Sequence, residues 1–362
     1  MTDESYIKLA IEIAKKGFGN VSPNPLVGCV IIKNDRIIGA GYHEKFGKNH
    51  AEINAIKNAK EKVEGSILYV NLESCSHTGK TPPCVDKIIE SKIKRVVVGT
   101  LDMNPLVSGE GVKKLKSAGI DVKVGVLEKD CVELNKFFFK HVTRKLPYIS
   151  LKAAQTLDGK IADITGDSKW ISSLSSRKYV HELRSKYDAV LVGTNTVIRD
   201  NPSLTVRLSE GRNPKRVIID SELKLKADRK IFTNNKDKNL ILVTAKNSVD
   251  RRRKLKKLYA LDVDIIFAKQ EQEGSINLLS VFKELGKRGI SSILVEGGST
   301  IFTSLIKKKL FDDILLFISP KILGAGLPVV GDMKIKSIGK SVKVKVERVE
   351  TFGDDIFVEL KR

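Results

Sequence analysis

Residues 50–84 read HAEINAIKNAKEKVEGSILYVNLESCSHTGKTPPC, and this stretch decides the fold predicted for the first half of the chain. A helix is predicted from His50 onward, with an apolar stripe formed by Ile53, Ile56, Ala59 and Val63. Ser66–Leu72 then predicts a strand, and a loop rich in Cys, Gly and Pro leads into a helix at 83–91. Strands that alternate with helices in this way indicate a layered α/β sandwich.

The same alternation continues on both sides of this stretch. Further helices are predicted at 2–16 and 111–118, and further strands at 27–32, 36–40 and 95–99. A second alternating pattern begins near Pro147, with strand-like runs at 148–154, 188–193, 215–220, 239–244, 263–267 and 292–295. We therefore expect two α/β domains, residues 1–145 and residues 146–362.

Three residues of the quoted stretch, His50, Cys75 and Cys84, have the chemistry of zinc ligands. Within a helix, residues two apart point about 200° apart, so His50 and Glu52 share a target only if it lies beyond the helix end. Pro83 suits a first helical turn, and the positive end of that helix favours the thiolate form of Cys84. We expect one zinc ion per chain, bound where the two helices begin.

The remaining cysteines and histidines are not expected to bind this metal. Cys29 and Cys131 are predicted to be structural. No ligand partner stands at a recognisable spacing from three histidines, His43, His141 and His181.

One His and two Cys leave the fourth tetrahedral position open, which distinguishes a catalytic zinc from a structural one. A water bound there would have a lowered pKa, and Glu52 would carry its proton to the ring and the leaving amine. These are the roles that zinc deaminases give to such residues, so the first domain is predicted to be a hydrolytic deaminase. The alternative, a zinc-stabilised binding module, predicts a closed site with four protein ligands.

The formal charge of +22 in 362 residues raises the question of a nucleic-acid partner. The basic clusters are scattered over predicted helices, and only 6% of the residues are aromatic, which leaves little for base stacking. We therefore expect solvated lysine-rich helix faces and no nucleic-acid partner, although a tRNA or DNA base deaminase with an accessory α/β domain stays open as the alternative.

Composition also bears on the compartment. No stretch approaches the roughly 18 apolar residues that a membrane helix needs, so no membrane partner is expected. The acidic N-terminus does not resemble a secretory signal, and four cysteines do not make a disulfide scaffold. A cytoplasmic protein is the expectation.

Several segments of the first domain resemble the family of bifunctional riboflavin-biosynthesis deaminase–reductases. They are Pro23-Asn-Pro-Leu-Val-Gly28, His50-Ala-Glu52 and Cys75-Ser-His-Thr-Gly-Lys-Thr-Pro-Pro-Cys84. The nine-position spacing of the two cysteines differs from the Cys-x-x-Cys pair of nucleic-acid and cytidine deaminases. The resemblance implies a cytidine-deaminase-like α/β/α sandwich in which the loop of Asn24 and the Cys75–Cys84 loop line a pyrimidine pocket. Ser74 departs from the Pro that the family usually has there.

The resemblance extends through the second domain, over Leu151–Lys160, Gly166–Trp170, Val192–Thr196, Asp200–Arg207, Val295–Ser299 and Pro320–Gly324. It implies a dihydrofolate-reductase-like α/β fold that uses NADPH. The residues implied to contact the cofactor are Ala154, Trp170, Thr196, Asp200, Ser221, Gly298, Ser299, Thr300, Ile301, Phe302, Thr303 and Ser304. Those implied to contact the substrate are Ser168, Arg184, Leu204, Arg207 and Glu296, with Asn24 in the first domain. Gln155-Thr156 departs from the small residue and Ser expected there.

Physical arguments support part of this assignment. Glu296-Gly297-Gly298-Ser299 follows an apolar strand and opens a helix, so backbone N–H groups could face a pyrophosphate. We expect a side chain at Gly298 to displace the phosphate oxygens and to be disfavoured by the backbone angles. Arg184 and Arg207 suit a substrate phosphate, because guanidinium groups bind it with two hydrogen bonds.

The predicted function has two steps on one small phosphorylated pyrimidine. The first domain would hydrolyse the exocyclic amine of 2,5-diamino-6-(5-phosphoribosylamino)pyrimidin-4-one. The second would reduce the ribosyl group to ribityl by hydride transfer from NADPH. A homo-oligomer is expected.

Overall fold

A computed structural model describes residues 1–77, 82–104, 107–245, 251–271 and 274–362. The contacts between residues divide the chain into two compact units, Met1–Leu146 and Pro147–Arg362. Each unit is a mixed α/β structure with its own sheet. Over the residues given above, no helix has the length and apolar character needed to cross a lipid bilayer.

The first unit alternates helices and strands. Its elements are α1 (Asp3–Ala14), β1 (Gly28–Lys33), β2 (Arg36–Tyr42), α2 (Ala51–Lys57), β3 (Ile67–Leu72), α3 (Cys84–Glu90), β4 (Arg95–Thr100), α4 (Glu110–Ser117), β5 (Asp121–Val124), α5 (Glu128–Leu134) and α6 (Lys136–Arg144).

The five strands form one sheet in the order β2-β1-β3-β4-β5. β1 is antiparallel to β2 and β3, whereas β3, β4 and β5 are parallel. One face of the sheet packs against α1 through a cluster that includes Ile7 and Ile11. The opposite face packs against α2 and α3 through Ala55 and Ile88. The α/β/α sandwich predicted from the sequence is therefore confirmed, and α2 and α3 lie on the same side of it.

Helix α2 is shorter than the sequence pattern indicated. It ends at Lys57, so Ala59 and Val63 lie beyond it and the predicted four-residue stripe is wrong. The buried residues of the helix are Ala51, Glu52 and Ala55. The asparagine side chains explain the difference: Asn54 Nδ2 donates to Tyr42 O of β2 at 2.9 Å and Asn58 Nδ2 to Ala40 O at 3.1 Å, which binds the helix end to the strand.

The second unit has a longer series of elements. They are β6 (Tyr148–Thr156), β7 (Lys160–Ala162), α7 (Leu174–Lys186), β8 (Ala189–Gly193), α8 (Thr194–Asp200), β9 (Lys215–Ile219), α9 (Lys230–Thr233), β10 (Leu240–Ala245), α10 (Arg252–Tyr259), β11 (Asp264–Ala268), α11 (Leu278–Lys287), β12 (Ser292–Val295), α12 (Ser299–Lys307), β13 (Asp313–Ser319), β14 (Leu327–Pro328), β15 (Lys345–Phe352) and β16 (Asp355–Lys361).

Nine of these strands form a sheet in the order β11-β10-β9-β8-β12-β6-β13-β16-β15. The first seven strands in this order, which end with β13, are parallel to one another. The remaining two differ, since β16 is antiparallel to both β13 and β15. The carboxyl ends of the neighbouring parallel strands β6, β8 and β12 consequently meet at one edge, where a ligand site is expected in such a sheet. All six predicted strand regions are present, but β7, β13, β14, β15 and β16 were not predicted.

Candidate active sites

The three predicted zinc ligands of the first unit come together at the ends of three elements. His50 is the N-cap residue of α2, Cys84 is the first residue of α3, and Cys75 follows β3. The His50 Nδ1 atom lies 3.5 Å from Cys75 Sγ and 3.3 Å from Cys84 Sγ, and the three ligand atoms lie within 4.8 Å of one another. Residues 78–81 of the Cys75–Cys84 loop are outside the described residues. The donor set has the composition and spacing of a zinc centre with an open position.

The environment of Cys75 favours its thiolate. Its pKa is lowered by the hydrogen bond with the Cys84 thiol and by the hydrogen bond with His50. The backbone N–H of Cys84 also donates to Cys75 Sγ, at 3.4 Å. The pKa of Cys84 is raised, because the residue lies beside that thiolate and is buried. A bound cation would offset this repulsion and stabilise both thiolates.

Glu52 lies in the first turn of α2 and is almost completely buried, with 2% of its surface exposed. Among the residues that the structure describes, its Oε2 atom has no hydrogen-bond partner. Burial raises the pKa of the Glu52 carboxyl, and the neighbouring Cys75 charge raises it further. A buried carboxyl with an unpaired oxygen is suited to hold or release a proton.

These groups open into one cavity of about 320 Å³. Its lining includes Asn24, His43, Phe46, Lys48, His50, Glu52, Glu73, Cys75, His77, Asp102, Asn104, Val107 and Phe138. Two of the three proposed ligands, His50 and Cys75, therefore face the same space as the carboxyl of Glu52 and the Asn24 loop, while Cys84 lies behind them, outside the lining. A cavity of this size accommodates a small ligand.

The Asn24 loop is held from two sides by buried asparagines. Asn135 Oδ1 accepts from Leu26 N at 2.8 Å, and Asn71 Nδ2 donates to Leu26 O at 3.0 Å. Asn24 Nδ2 lies 3.2 Å from His43 Nε2, and His43 Nδ1 lies 3.0 Å from Asn49 O. Burial lowers the pKa of His43, which favours its neutral form. The two side chains thus form a fixed pair at the cavity wall.

Among the cavity residues that sequence reasoning did not select are two titratable side chains with shifted pKa values, His43 and Asp102. Burial raises the pKa of Asp102 to about 6, although the N–H of Asn104 donates to its carboxylate. His43 and Asp102 follow different strands, and no short spacing relates either residue to the zinc ligands. A motif search has no signal that could identify them.

Most of the predicted residues of the second unit line two cavities. The first, of about 330 Å³, is lined by Ala154, Ser168, Trp170, Arg184, Thr196, Asp200, Leu204, Arg207, Glu296, Gly298 and Phe302, together with Lys152 and His181. The second, of about 370 Å³, is lined by Thr196, Ser221, Gly298, Thr300, Ile301 and Ser304. Thr196 and Gly298 border both. Two of the predicted cofactor residues, Ser299 and Thr303, are not among the lining residues of either cavity.

A paired guanidinium and carboxylate lie in the wall of the first of these cavities. Arg184 Nε donates to Glu296 Oε1 at 2.6 Å and Arg184 Nη2 donates to Oε2 at 2.8 Å. Burial raises the pKa of Glu296, but the Arg184 charge and hydrogen bonds outweigh it and keep the pKa low. The two-bond face of Arg184 is therefore engaged by Glu296, which removes the physical support for phosphate binding by this face. A contact between Arg184 and the substrate stays a prediction. Arg207 is exposed, and its Nη1 donates to Thr205 Oγ1.

Lys152 and His181 are further polar residues in this cavity that sequence reasoning did not select. Burial lowers the pKa of the Lys152 ammonium, and the charge of Glu296 opposes that effect. Burial also lowers the pKa of His181, to about 4, and the nearby Arg184 charge adds to the shift. The His181 Nδ1 atom accepts from Arg207 N at 2.9 Å, so the neutral imidazole helps to hold the segment that carries Arg207.

Gly298 is the N-cap residue of α12, with φ −73° and ψ 179°. Any residue adopts these angles, so the predicted backbone reason for glycine is wrong. Among the residues described, a Cβ at this position would meet only Thr196 Oγ1, at 3.7 Å. The space in front of the backbone is open, and the steric argument for close approach of a phosphate remains.

Comparisons with known proteins cover the whole chain. Residues 1–100 match the cytidine and deoxycytidylate deaminase zinc-binding region, and residues 147–358 match the RibD C-terminal domain. The riboflavin biosynthesis protein RibD of Aquifex aeolicus is 48% identical over 361 residues, which is 99% of this chain and 98% of that protein. The RibD protein of Escherichia coli is 35% identical over 374 residues, covering 99% of each. A crystal structure from Thermotoga maritima, of a diaminohydroxyphosphoribosylaminopyrimidine deaminase/5-amino-6-(5-phosphoribosylamino)uracil reductase, has a TM-score of 0.88 at 44% identity and covers 99% of this chain and 98% of that one.

Proposed function

Since the chain belongs to the family of bifunctional deaminase–reductases of riboflavin biosynthesis, we propose a role for the residues of each site. The first unit is a zinc-dependent deaminase and the second an NADPH-dependent reductase. The observation that carries the residue assignment is the convergence of His50, Cys75 and Cys84 beside the buried carboxyl of Glu52, whose Oε2 atom has no hydrogen-bond partner among the described residues.

His50, Cys75 and Cys84 would hold the zinc ion. Their ligand atoms have the right chemistry and lie within 4.8 Å of one another, so the residues fit the metal. When bound, zinc supplies Lewis acidity that lets water ionise near neutral pH. Glu52 would take one proton from the attacking water and deliver it to a ring nitrogen. It would then carry the second proton, released as the carbonyl forms, to the amine, which departs as ammonia. Burial raises the pKa of Glu52 toward neutral pH, which favours both the uptake of a proton from water and its release to the substrate.

Asn24 would orient the pyrimidine. Asn49 O can only accept, so His43 Nδ1 carries the hydrogen and His43 Nε2 accepts from Asn24 Nδ2. This arrangement leaves Asn24 Oδ1 to accept a hydrogen bond from an amine or ring N–H of the substrate. The substrate proposed is 2,5-diamino-6-(5-phosphoribosylamino)pyrimidin-4-one.

In the second unit, Gly298 lines both cavities, and a Cβ there would project into open space. The bare backbone at Gly298 therefore suits the close approach of the cofactor pyrophosphate. NADPH, when bound, supplies the hydride that converts the ribosyl group to ribityl. Arg184 keeps Glu296 ionised, so that Glu296 can accept hydrogen bonds from the substrate. Arg207, which is exposed at the cavity, is the guanidinium that would bind the substrate phosphate.

The deaminase assignment is tested by measuring ammonia release from the pyrimidine nucleotide in the absence of NADPH. We expect release that stops when a chelator removes zinc and returns when zinc is added back. Release that is unaffected by verified zinc removal would overturn the assignment.

A base deaminase acting on tRNA or DNA is the rival function, and we propose that the protein has no nucleic-acid partner. The rival leaves the reductase match over 147–358 unexplained. Deamination of a tRNA at a rate comparable to that of the free nucleotide would reverse this choice.

We further propose a cytoplasmic homo-oligomer. All four cysteines are free thiols, which fits a reducing compartment. The strand β15 lies at a sheet edge, and its Val346 and Val349 are 57% and 59% exposed. An exposed edge strand with apolar side chains is suited to self-association. Light scattering should give a mass that is a multiple of 40.1 kDa; a mass of 40.1 kDa at all concentrations would contradict the proposal.

A further inference from the structure

The carboxylate of Glu73 lies at the end of β3, two residues before Cys75, and only 5% of the residue is exposed. All of its hydrogen bonds in the described part of the molecule come from backbone N–H groups of a single segment, 102–112. Oε2 accepts from Asp102 N at 3.1 Å and from Gly109 N at 2.9 Å. Oε1 accepts from Gly111 N at 3.0 Å and from Val112 N at 3.2 Å.

Through these hydrogen bonds Glu73 caps the N-terminus of α4, although it lies far from that helix in the sequence. The N-cap residue of α4 is Gly109, which has no side chain to accept from the first turn. Glu73 satisfies two N–H groups of that turn, and its negative charge lies at the positive end of the helix dipole. A buried carboxylate is tolerated only with such hydrogen bonds, and bonds to a charged acceptor are stronger than neutral ones.

The segment that Glu73 holds is also a wall of the deaminase cavity. Asp102, Asn104 and Val107 line that cavity. The helix is packed tightly against the strand end, since a Cβ at Gly111 would lie 2.2 Å from Ser74 O. One carboxylate therefore joins the segment that carries the ligand Cys75 to the segment that carries the cavity residues Asp102, Asn104 and Val107.

We propose that Glu73 is a positioning residue of the deaminase, which sets the distance between the ligand Cys75 and the cavity residues Asp102, Asn104 and Val107. This inference rests on the proposed deaminase function. Glu73 borders the cavity, but both of its carboxylate oxygens accept hydrogen bonds from backbone N–H groups, so in this proposal it acts through Asp102, whose carboxylate in turn accepts from Asn104 N. Its loss should therefore weaken substrate binding more than it slows the chemical step.

The variant Glu73→Gln tests this role with little change in volume. The amide group of Gln would place N–H donors against two of the four backbone N–H donors that now bind the carboxylate, so two of the four hydrogen bonds would be replaced by repulsion. From the strength of hydrogen bonds to a charged acceptor we expect the KM for the pyrimidine nucleotide to rise about tenfold or more, with kcat changed less. Zinc content and the reductase rate on the deaminated nucleotide should stay at wild-type values.

Two further variants make the test specific. Glu110→Gln removes an exposed carboxylate from the first turn of the same helix, one that takes no part in the hydrogen bonds of Glu73, and should leave the KM unchanged. Gly111→Ala keeps the Glu73 side chain but places a Cβ 2.2 Å from Ser74 O and 3.1 Å from Glu73 Oε1, so it displaces the helix from the strand end and should raise the KM in the same way as Glu73→Gln.

Two results would overturn the proposal: a wild-type KM in Glu73→Gln, or a joint loss of zinc and kcat, which would show that Glu73 supports the folding of the unit and not the wall. The wild-type enzyme in the same assay tests the proposed function separately. Absence of deamination there would refute the function itself, whatever the variants do.

Discussion

The substitution Glu52→Gln separates proton transfer from every other property of the deaminase site. Gln has the shape of Glu but cannot carry the proton. General acid–base catalysis contributes about 10²–10⁴-fold, so the activation free energy should rise by about 3–5 kcal/mol. The side chain is 2% exposed with an unpaired Oε2, and a neutral amide costs less to bury than a carboxylate. The free energy of unfolding should therefore not fall.

The assay is the rate of ammonia release at saturating pyrimidine nucleotide, with zinc content and thermal unfolding measured on the same preparation. Glu61→Gln is the matched control, because this exposed carboxylate lies in the same unit, where it pairs only with Arg36 among the described residues, and does not line the cavity. It should retain wild-type activity. A loss of less than about tenfold in Glu52→Gln, with zinc retained, would refute the role of Glu52 as proton carrier.

Three further predictions concern the metal, the cofactor and pH. The double substitution Cys75→Ser, Cys84→Ser should abolish zinc binding in elemental analysis while reductase activity persists; full zinc occupancy would contradict the ligand assignment. Gly298→Val should weaken NADPH binding at least about tenfold in a fluorescence titration, with normal deamination, and unchanged affinity would mean that the cofactor backbone contact lies elsewhere. The pKa of His181 is lowered to about 4 from its ordinary value of about 6.5, so its protonation favours the unfolded state. Stability should therefore be full above about pH 6.5 and decline as the pH falls toward 4. The unfolding midpoint of His181→Gln should depend less on pH over this range, and an identical pH dependence would refute the assignment.

The sequence predicted the alternating elements well where burial leaves a simple pattern. The central strands β1, β3 and β4 of the first unit and β8, β10 and β12 of the second are apolar runs, because they are covered on both faces. The edge strand β5 is mostly exposed and was not predicted. The unpredicted strands have other patterns. Strand β15 is exposed along most of its length, and β16 directs Asp355 and Glu359 inward with Phe357. Asp355 Oδ2 accepts from Ser173 N at 2.7 Å, a tertiary contact that no local pattern reveals.

The candidate site was predictable only where its residues share a motif. His50, Glu52 and Cys84 lie at helix starts and Cys75 follows a strand, all at recognisable spacings, so their convergence could be inferred. The pairing of Arg184 with Glu296 joins residues 112 positions apart, so it could not be inferred from the sequence. For the same reason His43 and Asp102 were missed, because their burial and their hydrogen-bond partners arise from the packing of separate loops.

The central claim is that one chain performs deamination and then reduction at two sites. Mass spectrometry of the product formed from 2,5-diamino-6-(5-phosphoribosylamino)pyrimidin-4-one, with and without NADPH, tests it most directly. Without NADPH we predict a product in which one amine is replaced by a carbonyl oxygen. With NADPH, the same product should gain two hydrogens. An unchanged amine in both reactions, or a deaminated product that gains no hydrogens with NADPH, would contradict the account.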